Sequence, residues 1–202
     1  DTDTLKALLM VGSEGDDRLE GDNGDNLLNG LGGNDVLYGF AGNDTLRGGE
    51  GSDYLEGGNG NDIYEFALGD GATTINNYDS GEGRHDVLKM LSGISADDVV
   101  VRRIGNHLTL TVTSSNEVIT VSSFFSSSQH VLDAVEFTDG TVWDTATLNE
   151  LVKVGTEGDD HLYGDDGDDV LNGLGGDDYL FGDYGDDVLK GGAGYDHLYG
   201  DD

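Results

Sequence analysis

Gly48-Gly49-Glu50-Gly51-Ser52-Asp53-Tyr54-Leu55-Glu56 is the stretch from which the fold of this 202-residue chain can be read. The same nine-residue pattern starts at Gly12, Gly21, Gly30, Gly39, Gly48 and Gly57 without a slip. It starts again at Gly155, Gly164, Gly173, Gly182 and Gly191, with a further start at Gly200. Position 4 is always Gly, and position 8 is Leu in ten of the eleven complete units, Tyr64 being the exception. Glycine allows φ > 0, so the first half of each unit is expected to turn tightly. The single Leu points inward from a very short strand. Neither part buries anything alone, so the pattern predicts a solenoid rung. Two units make one coil, and unit n stacks on unit n+2.

Position 6 is occupied by Asp17, Asn26, Asp35, Asp44, Asp53 and Asp62, then by Asp160, Asp169, Asp178, Asp187 and Asp196. Strands of adjacent coils lie about 4.8 Å apart. Stacked carboxylates are therefore close neighbours, and like charges that close repel unless a cation lies between them. Turn carbonyls plus two carboxylates form an all-oxygen cage suited to Ca²⁺, which takes six to eight ligands at about 2.3–2.6 Å. Pairing n with n+2 predicts four cages in the first block: Asp17 with Asp35, Asn26 with Asp44, Asp35 with Asp53, and Asp44 with Asp62. The second block has three: Asp160 with Asp178, Asp169 with Asp187, and Asp178 with Asp196. About seven calcium ions are expected in all. Asn26 brings an oxygen but no charge, so its cage is expected to be weaker. The bland alternative, solvated acids in a flexible linker, does not explain in-phase Gly and Leu.

These repeats resemble the glycine- and aspartate-rich nonapeptide of the RTX family, a pattern associated with Ca²⁺-binding β-helices. Eleven in-phase copies carry the likeness over about half of the chain. The resemblance implies a parallel β-roll, type I secretion from a bacterium, calcium-triggered folding outside the cell, and a secreted or cell-surface location. The family includes toxins, adhesins, proteases, lipases and epimerases, so the repeat identifies the module and not the parent's activity.

Composition agrees with a metal-dependent fold. Net charge is −33; residues 12–65 carry 13 acids and 2 bases, and residues 155–202 carry 15 acids and 1 base. The two blocks thus hold −11 and −14, and the expected ions would bring them to about −3 and −8. That sign excludes nucleic acid as a partner. A Gly-rich, highly charged segment with one Leu per unit is not expected to fold unaided, so metal binding would supply folding free energy. There is no Cys for a disulfide framework. No segment approaches the roughly 18 apolar residues of a membrane span, and Asp1-Thr2-Asp3-Thr4 is not a signal peptide.

Residues 1–11 are expected to be the tail of a preceding spacer domain, 12–65 a first roll, 66–154 a β-rich spacer or cap, and 155–202 a second, truncated roll. The tail matches Asp144–Val154 at a shift of 143 residues, and the match runs on into the rolls. This predicts a parent built from tandem units of that length, with neighbouring RTX units as partners. In the middle segment, Val99–Arg103, Leu108–Val112 and Val118–Val121 read as strands. Val135–Trp143 reads as a hairpin whose Asp139-Gly140 suits a type I′ turn. Ser95 and Asp144 read as helix caps, the latter before an apolar face of Leu148, Leu151 and Val152. The segment resembles the small β domain found beside RTX repeats, on Phe137–Trp143 and Asp86-Val87-Leu88. The expected class is therefore all-β: two parallel β-rolls flanking a small, mostly antiparallel β domain.

Catalytic residues are not expected. His85, His107, His130, His161 and His197 are not paired at ligand spacing, and position 7 places His161 and His197 on the outside. Ser122-Ser123 and Ser126-Ser127-Ser128 lack a nucleophile elbow. Rows of solvated or metal-bound acids do not make a glycosidase pair. A second reading, an accessory module binding cell-surface polysaccharide, rests on the projecting Tyr38, Phe40, Tyr54, Phe181 and Tyr184. Phe124-Phe125 and Trp143 read as core or roll-capping residues.

Overall fold

The computed structural model describes residues 8–201, so most of the 1–11 tail lies outside the described residues. The chain forms two compact units: the first holds residues up to 100 together with 104–145, the second 101–103 with 146–202.

The first unit begins with β1 (Leu8–Val11), β2 (Arg18–Glu20), β3 (Asn26–Gly32), β4 (Val36–Ala41), β5 (Thr45–Asn59) and β6 (Ile63–Phe66). Every pairing among them is parallel, and from residue 8 to residue 64 it advances 18 residues at a time, as two-unit coils require. Leu28 lies beside Leu46, and Leu37 beside Leu55. Strand residues alternate between solvent and core, so position 8 supplies the apolar core. Leu28, Leu37, Leu46, Leu55 and Tyr64 are all fully buried. β5 runs through a whole unit. Its first part pairs with β3 and β6 and its last part with β4 and β7, so it joins the two faces of the roll.

The chain continues through β7 (Gly71–Ile75), β8 (Val87–Met90), β9 (Val99–Ile104), β10 (His107–Val112), β11 (Glu117–Val121), β12 (Ala134–Phe137) and β13 (Val142–Asp144). Expected as mostly antiparallel, this segment is mixed. β7 and β11 extend one face of the roll in parallel, and β8 and β12 extend the other. Only then do β10 and β13 pair antiparallel, with β11 and β12. The apolar column explains the register: Leu46, Tyr64, Leu88 and Val135 follow one another, as do Leu55, Ile75 and Val121. A slip of one residue would turn that column outward.

The β12–β13 hairpin forms, but residues 138–141 connect it and Gly140 supplies the positive φ, +92°. A type I′ turn needs two such residues; here Asp139 Oδ1 instead accepts the Thr141 N–H at 2.8 Å. Ser95 precedes a single 3₁₀ turn, Ala96–Asp98, and α1 (Thr145–Leu151) follows Asp144 with Leu148 buried.

The second unit contains β14 (His161–Tyr163), β15 (Val170–Gly175), β16 (Tyr179–Phe181), β17 (Val188–Ala193) and β18 (His197–Tyr199). β14, β16 and β18 form one parallel face, β15 and β17 the other. Leu162, Leu171 and Leu180 form its core with Leu189 packed against them.

Candidate metal centre

The turns between the faces stack the position-6 residues into columns. Main-chain N–H groups at position 6 are taken by Oδ1 of the residue one coil further on: Asp17 by Asp35 (2.8 Å), Asn26 by Asp44 (2.7 Å), Asp35 by Asp53 and Asp44 by Asp62 (both 2.9 Å). In the second unit Asp160 donates to Asp178 (2.8 Å), Asp169 to Asp187 (2.9 Å) and Asp178 to Asp196 (3.2 Å). All eleven position-6 residues are thus placed by one geometry, with every pair named from the sequence in adjacent coils.

The second carboxylate oxygen divides these residues. Among the described residues, the buried side-chain oxygens without a hydrogen-bond partner are Oδ2 of Asp35, Asp44, Asp53, Asp62, Asp178 and Asp187. A buried polar atom left unpaired is costly, and a buried carboxylate oxygen more so. Burial accordingly pushes Asp44 and Asp53 up to about 6 and Asp62 up to about 7, with nearby carboxylates adding to the effect. It raises Asp35 and Asp178 as well. A cation beside each oxygen removes the penalty.

Position-1 glycine keeps the space open. A Cβ on Gly30 would land on the Asp35 carboxylate and the Gly48 carbonyl oxygen; one on Gly39 would meet Asp44 and the Gly57 carbonyl. Gly173 and Gly182 stand in the same relation to Asp178 and Asp187. Each notch is therefore lined by a carboxylate and a main-chain carbonyl, donors that suit Ca²⁺. No three acidic or histidine side chains converge closely enough to hold a metal among the described residues.

The first coil of each roll is built differently. Position 2 there is Ser13, Asp22, Thr156 or Asp165, and its main-chain N–H satisfies the position-6 side chain of its own unit, at 2.6–2.8 Å. The same side chains accept the position-4 N–H, as in Asp22 Oδ1 with Gly24 (2.8 Å). In the second coil, position 2 is left-handed even without glycine, at Leu31 (φ 79°), Phe40 (77°), Leu174 (73°) and Asp183 (72°). In the third coil, Gly49 and Gly58 are required, because a Cβ would strike the carbonyls of Leu31 and Phe40.

Two contributions escaped the sequence reading. Position 5 forms a ladder in the opposite sense: the side chains of Asp16, Asp25, Asn34 and Asn43 accept N–H groups one coil further on, at 2.7–3.0 Å. Asp or Asn at that position in nine of eleven units was the visible signal. The column through Asp62 also outlives the repeats. Asp62 donates to Asp86 Oδ1 (2.9 Å) and Asp86 to Asp133 Oδ2 (2.8 Å). The other column ends at Asp53, whose next neighbour is Thr73. Tyr64 replaces Leu because its hydroxyl accepts the Gly57 N–H (3.1 Å) and donates to Asn77 Oδ1 (2.9 Å), which ties the last repeat to the layer beyond.

Six rings of the second roll stack in two columns, while Tyr184 and Tyr195 stand exposed outside them. His161, Tyr179 and His197 form one column, with centroids 4.9 and 4.5 Å apart, and Tyr163, Phe181 and Tyr199 another, at 5.2 and 4.9 Å. Both faces of Tyr179 and Phe181 are thereby covered, which leaves edges rather than faces for a sugar.

The RTX calcium-binding nonapeptide repeat (four copies) matches at residues 11–39, 38–71, 154–183 and 181–202, together more than half of the chain. The haemolysin-type calcium binding protein related domain matches residues 107–147. The iron-regulated protein FrpA of Neisseria meningitidis serogroup C is 43% identical over 113 residues, which are 54% of this chain and 10% of that protein. The chain therefore spans about a tenth of that relative. Among solved structures, the AlgE6R3 subunit of the Azotobacter vinelandii mannuronan C5-epimerase is 28% identical with a TM-score of 0.43, covering 59% of this chain and 77% of that one. The extracellular lipase LipA of Serratia marcescens is 18% identical with a TM-score of 0.27, covering 96% and 28%.

Proposed function

Because the chain belongs to the RTX family of calcium-binding nonapeptide-repeat proteins, we propose that it is a calcium-folded segment of a secreted bacterial protein of toxin or adhesin type. In this reading it stays disordered in low-calcium cytosol and folds after type I secretion. Its function is structural, with no catalysis of its own. The observation that carries the reading is the set of buried, unpartnered Oδ2 atoms, confined among the described residues to position-6 aspartates.

The metal ligands are then Asp17, Asn26, Asp35, Asp44, Asp53, Asp62, Asp160, Asp169, Asp178, Asp187 and Asp196, with about seven ions between them. Main-chain carbonyls complete each cage. When bound, calcium supplies the positive charge that lets stacked carboxylates ionise in the interior. The chain's own residues do the rest: Oδ1 holds the neighbouring coil, glycine keeps the notch open, and Leu closes the core. Extracellular calcium modules bind at about 10⁻⁴–10⁻³ M. At ten times Kd, each independent site contributes about 1.4 kcal/mol, so several sites together decide whether a Gly-rich acidic chain folds. Segments 12–65 and 155–202 carry that switch, and 66–154 serves as spacer or cap.

The test is a calcium titration followed by far-UV circular dichroism, with magnesium as control. A cooperative rise of β-structure with calcium alone is expected. A chain equally folded in chelator would end the folding-switch reading.

A further inference from the structure

Resting on that calcium reading, we propose that the solenoid closes a terminal rung with a cation of its own: Arg84 in the first unit stands where a repeat would hold a metal ion.

The assignment follows from the column that outlives the repeats. The Asp62-to-Asp86 hydrogen bond has the same 2.9 Å length and the same Oδ1 acceptor as the Asp44-to-Asp62 bond. The strands keep register, with Ile63 beside Val87 and Tyr64 beside Leu88. Asp86 is therefore a position-6 aspartate in all but spacing, and it is fully buried. Its Oδ2, however, is not orphaned. Arg84 Nη1 lies 2.6 Å away and Asn77 Nδ2 3.1 Å away. The same guanidinium donates to the main-chain carbonyls of Val131 (2.9 Å) and Ser128. A carboxylate plus carbonyls is the donor set proposed for each calcium cage, and here a side-chain cation fills it. Guanidinium suits the role: it stays charged and offers five donors in a planar fork.

A rung with a built-in cation holds its geometry at calcium levels where the others fail. It is a place from which metal-dependent coils propagate, because a solenoid gains stability one neighbour at a time.

The experiment counts calcium per chain by equilibrium dialysis and metal analysis, with circular dichroism in parallel, for the parent chain, Arg84→Gln and Arg84→Lys. Arg84→Gln is expected to fold at saturating calcium while binding one ion more than the parent, and to need more calcium to do so. Arg84→Lys keeps the parental count. An Arg84→Gln chain with the parental count, or one that no calcium concentration folds, overturns the assignment, because the guanidinium would then be a strut that calcium cannot replace. A parent chain that binds no calcium sinks the functional reading itself, which keeps the two failures distinct.

Discussion

The two rolls share one repeat and differ in how their position-6 aspartates are held. In the first, Leu55 lies under Ile75 and Asp62 under Asp86, so the layer beyond the repeats continues both columns, and four aspartates carry a buried, unpartnered Oδ2. In the second, Leu162, Leu171 and Leu180 form the core with Leu189 packed against them, and among the described residues two aspartates, Asp178 and Asp187, carry such an oxygen. The difference teaches that a carboxylate becomes interior where a neighbouring layer covers it. Burial raises three aspartates of the first roll, Asp44, Asp53 and Asp62, to about 6–7, and in the second it raises Asp178.

The largest expected effect follows from that contrast and concerns the metal-free chain. A carboxyl whose folded pKa is raised prefers to be protonated in the folded state. It contributes stability that is fully present below its unfolded value, about 4, and lost as pH rises through the folded value. For Asp44, Asp53 and Asp62 the window runs from about 4 up to about 6–7. Without calcium, the first roll should be substantially more protected at pH 5 than at pH 8 in hydrogen exchange corrected for intrinsic rates. The second roll should respond less. Equal protection at both pH values would break the comparison.

Next come the position-1 glycines. Gly48→Ala puts a methyl group on the Asp53 carboxylate and should cost about 2–3 kcal/mol at saturating calcium, among the larger effects of a single substitution. Gly69→Ala, where φ is +99° but nothing lies within 4 Å, should cost about 1 kcal/mol from backbone strain alone. Denaturant unfolding of both variants separates crowding at a cage from strain in a loop. Equal costs would mean that the notch is not a site.

Much of this was legible because the repeat is strict. Gly at positions 1 and 4, Asp at 6 and Leu at 8 are enough to stack n on n+2 and to pair the aspartates. The physical reason for the position-1 glycines was not legible. Gly30, Gly39 and Gly48 do not adopt the left-handed region; they are glycine because a carboxylate and a carbonyl close in on them. Asp86 and Asp133 were hidden because inserted loops stretch the 18-residue period to 24 and then 47 residues. The local likeness of Asp86-Val87-Leu88 to Asp35-Val36-Leu37 was visible, but period is what assigns a column. Arg84 could not be recognised as a cation for a rung that sequence alone did not reveal.

The joint between roll and cap gives a third, smaller effect. Tyr64→Phe leaves the Gly57 N–H and Asn77 Oδ1 without their shared partner inside the core. The expected loss is about 1–2 kcal/mol, with hydrogen exchange quickening first around Gly57 and Asn77. A neutral result would mean that β8 and β12 dock on the roll by their apolar column alone.

The smallest expected effect tests whether the second coils of the two rolls are equivalent. Leu31 and Leu174 both sit in the left-handed region, at φ 79° and 73°. Such a conformation costs a non-glycine residue about 1 kcal/mol, and glycine removes the strain at the expense of a freer unfolded chain. Leu174 is 40% exposed, so little burial is lost with it, and Leu174→Gly should raise stability by about 0.5 kcal/mol. Leu31 instead borders a cleft with Leu68 and the Arg47–Asp70 ion pair, whose Nη2 and Oδ1 lie 2.8 Å apart. Removing its side chain opens that pair to water, so Leu31→Gly should gain less or lose slightly. Calcium-saturated thermal unfolding of the two variants would resolve a difference of that size. If both gain equally, position 2 answers only to its own backbone; if they diverge as expected, even a strained turn residue is set by what the neighbouring strands build beside it.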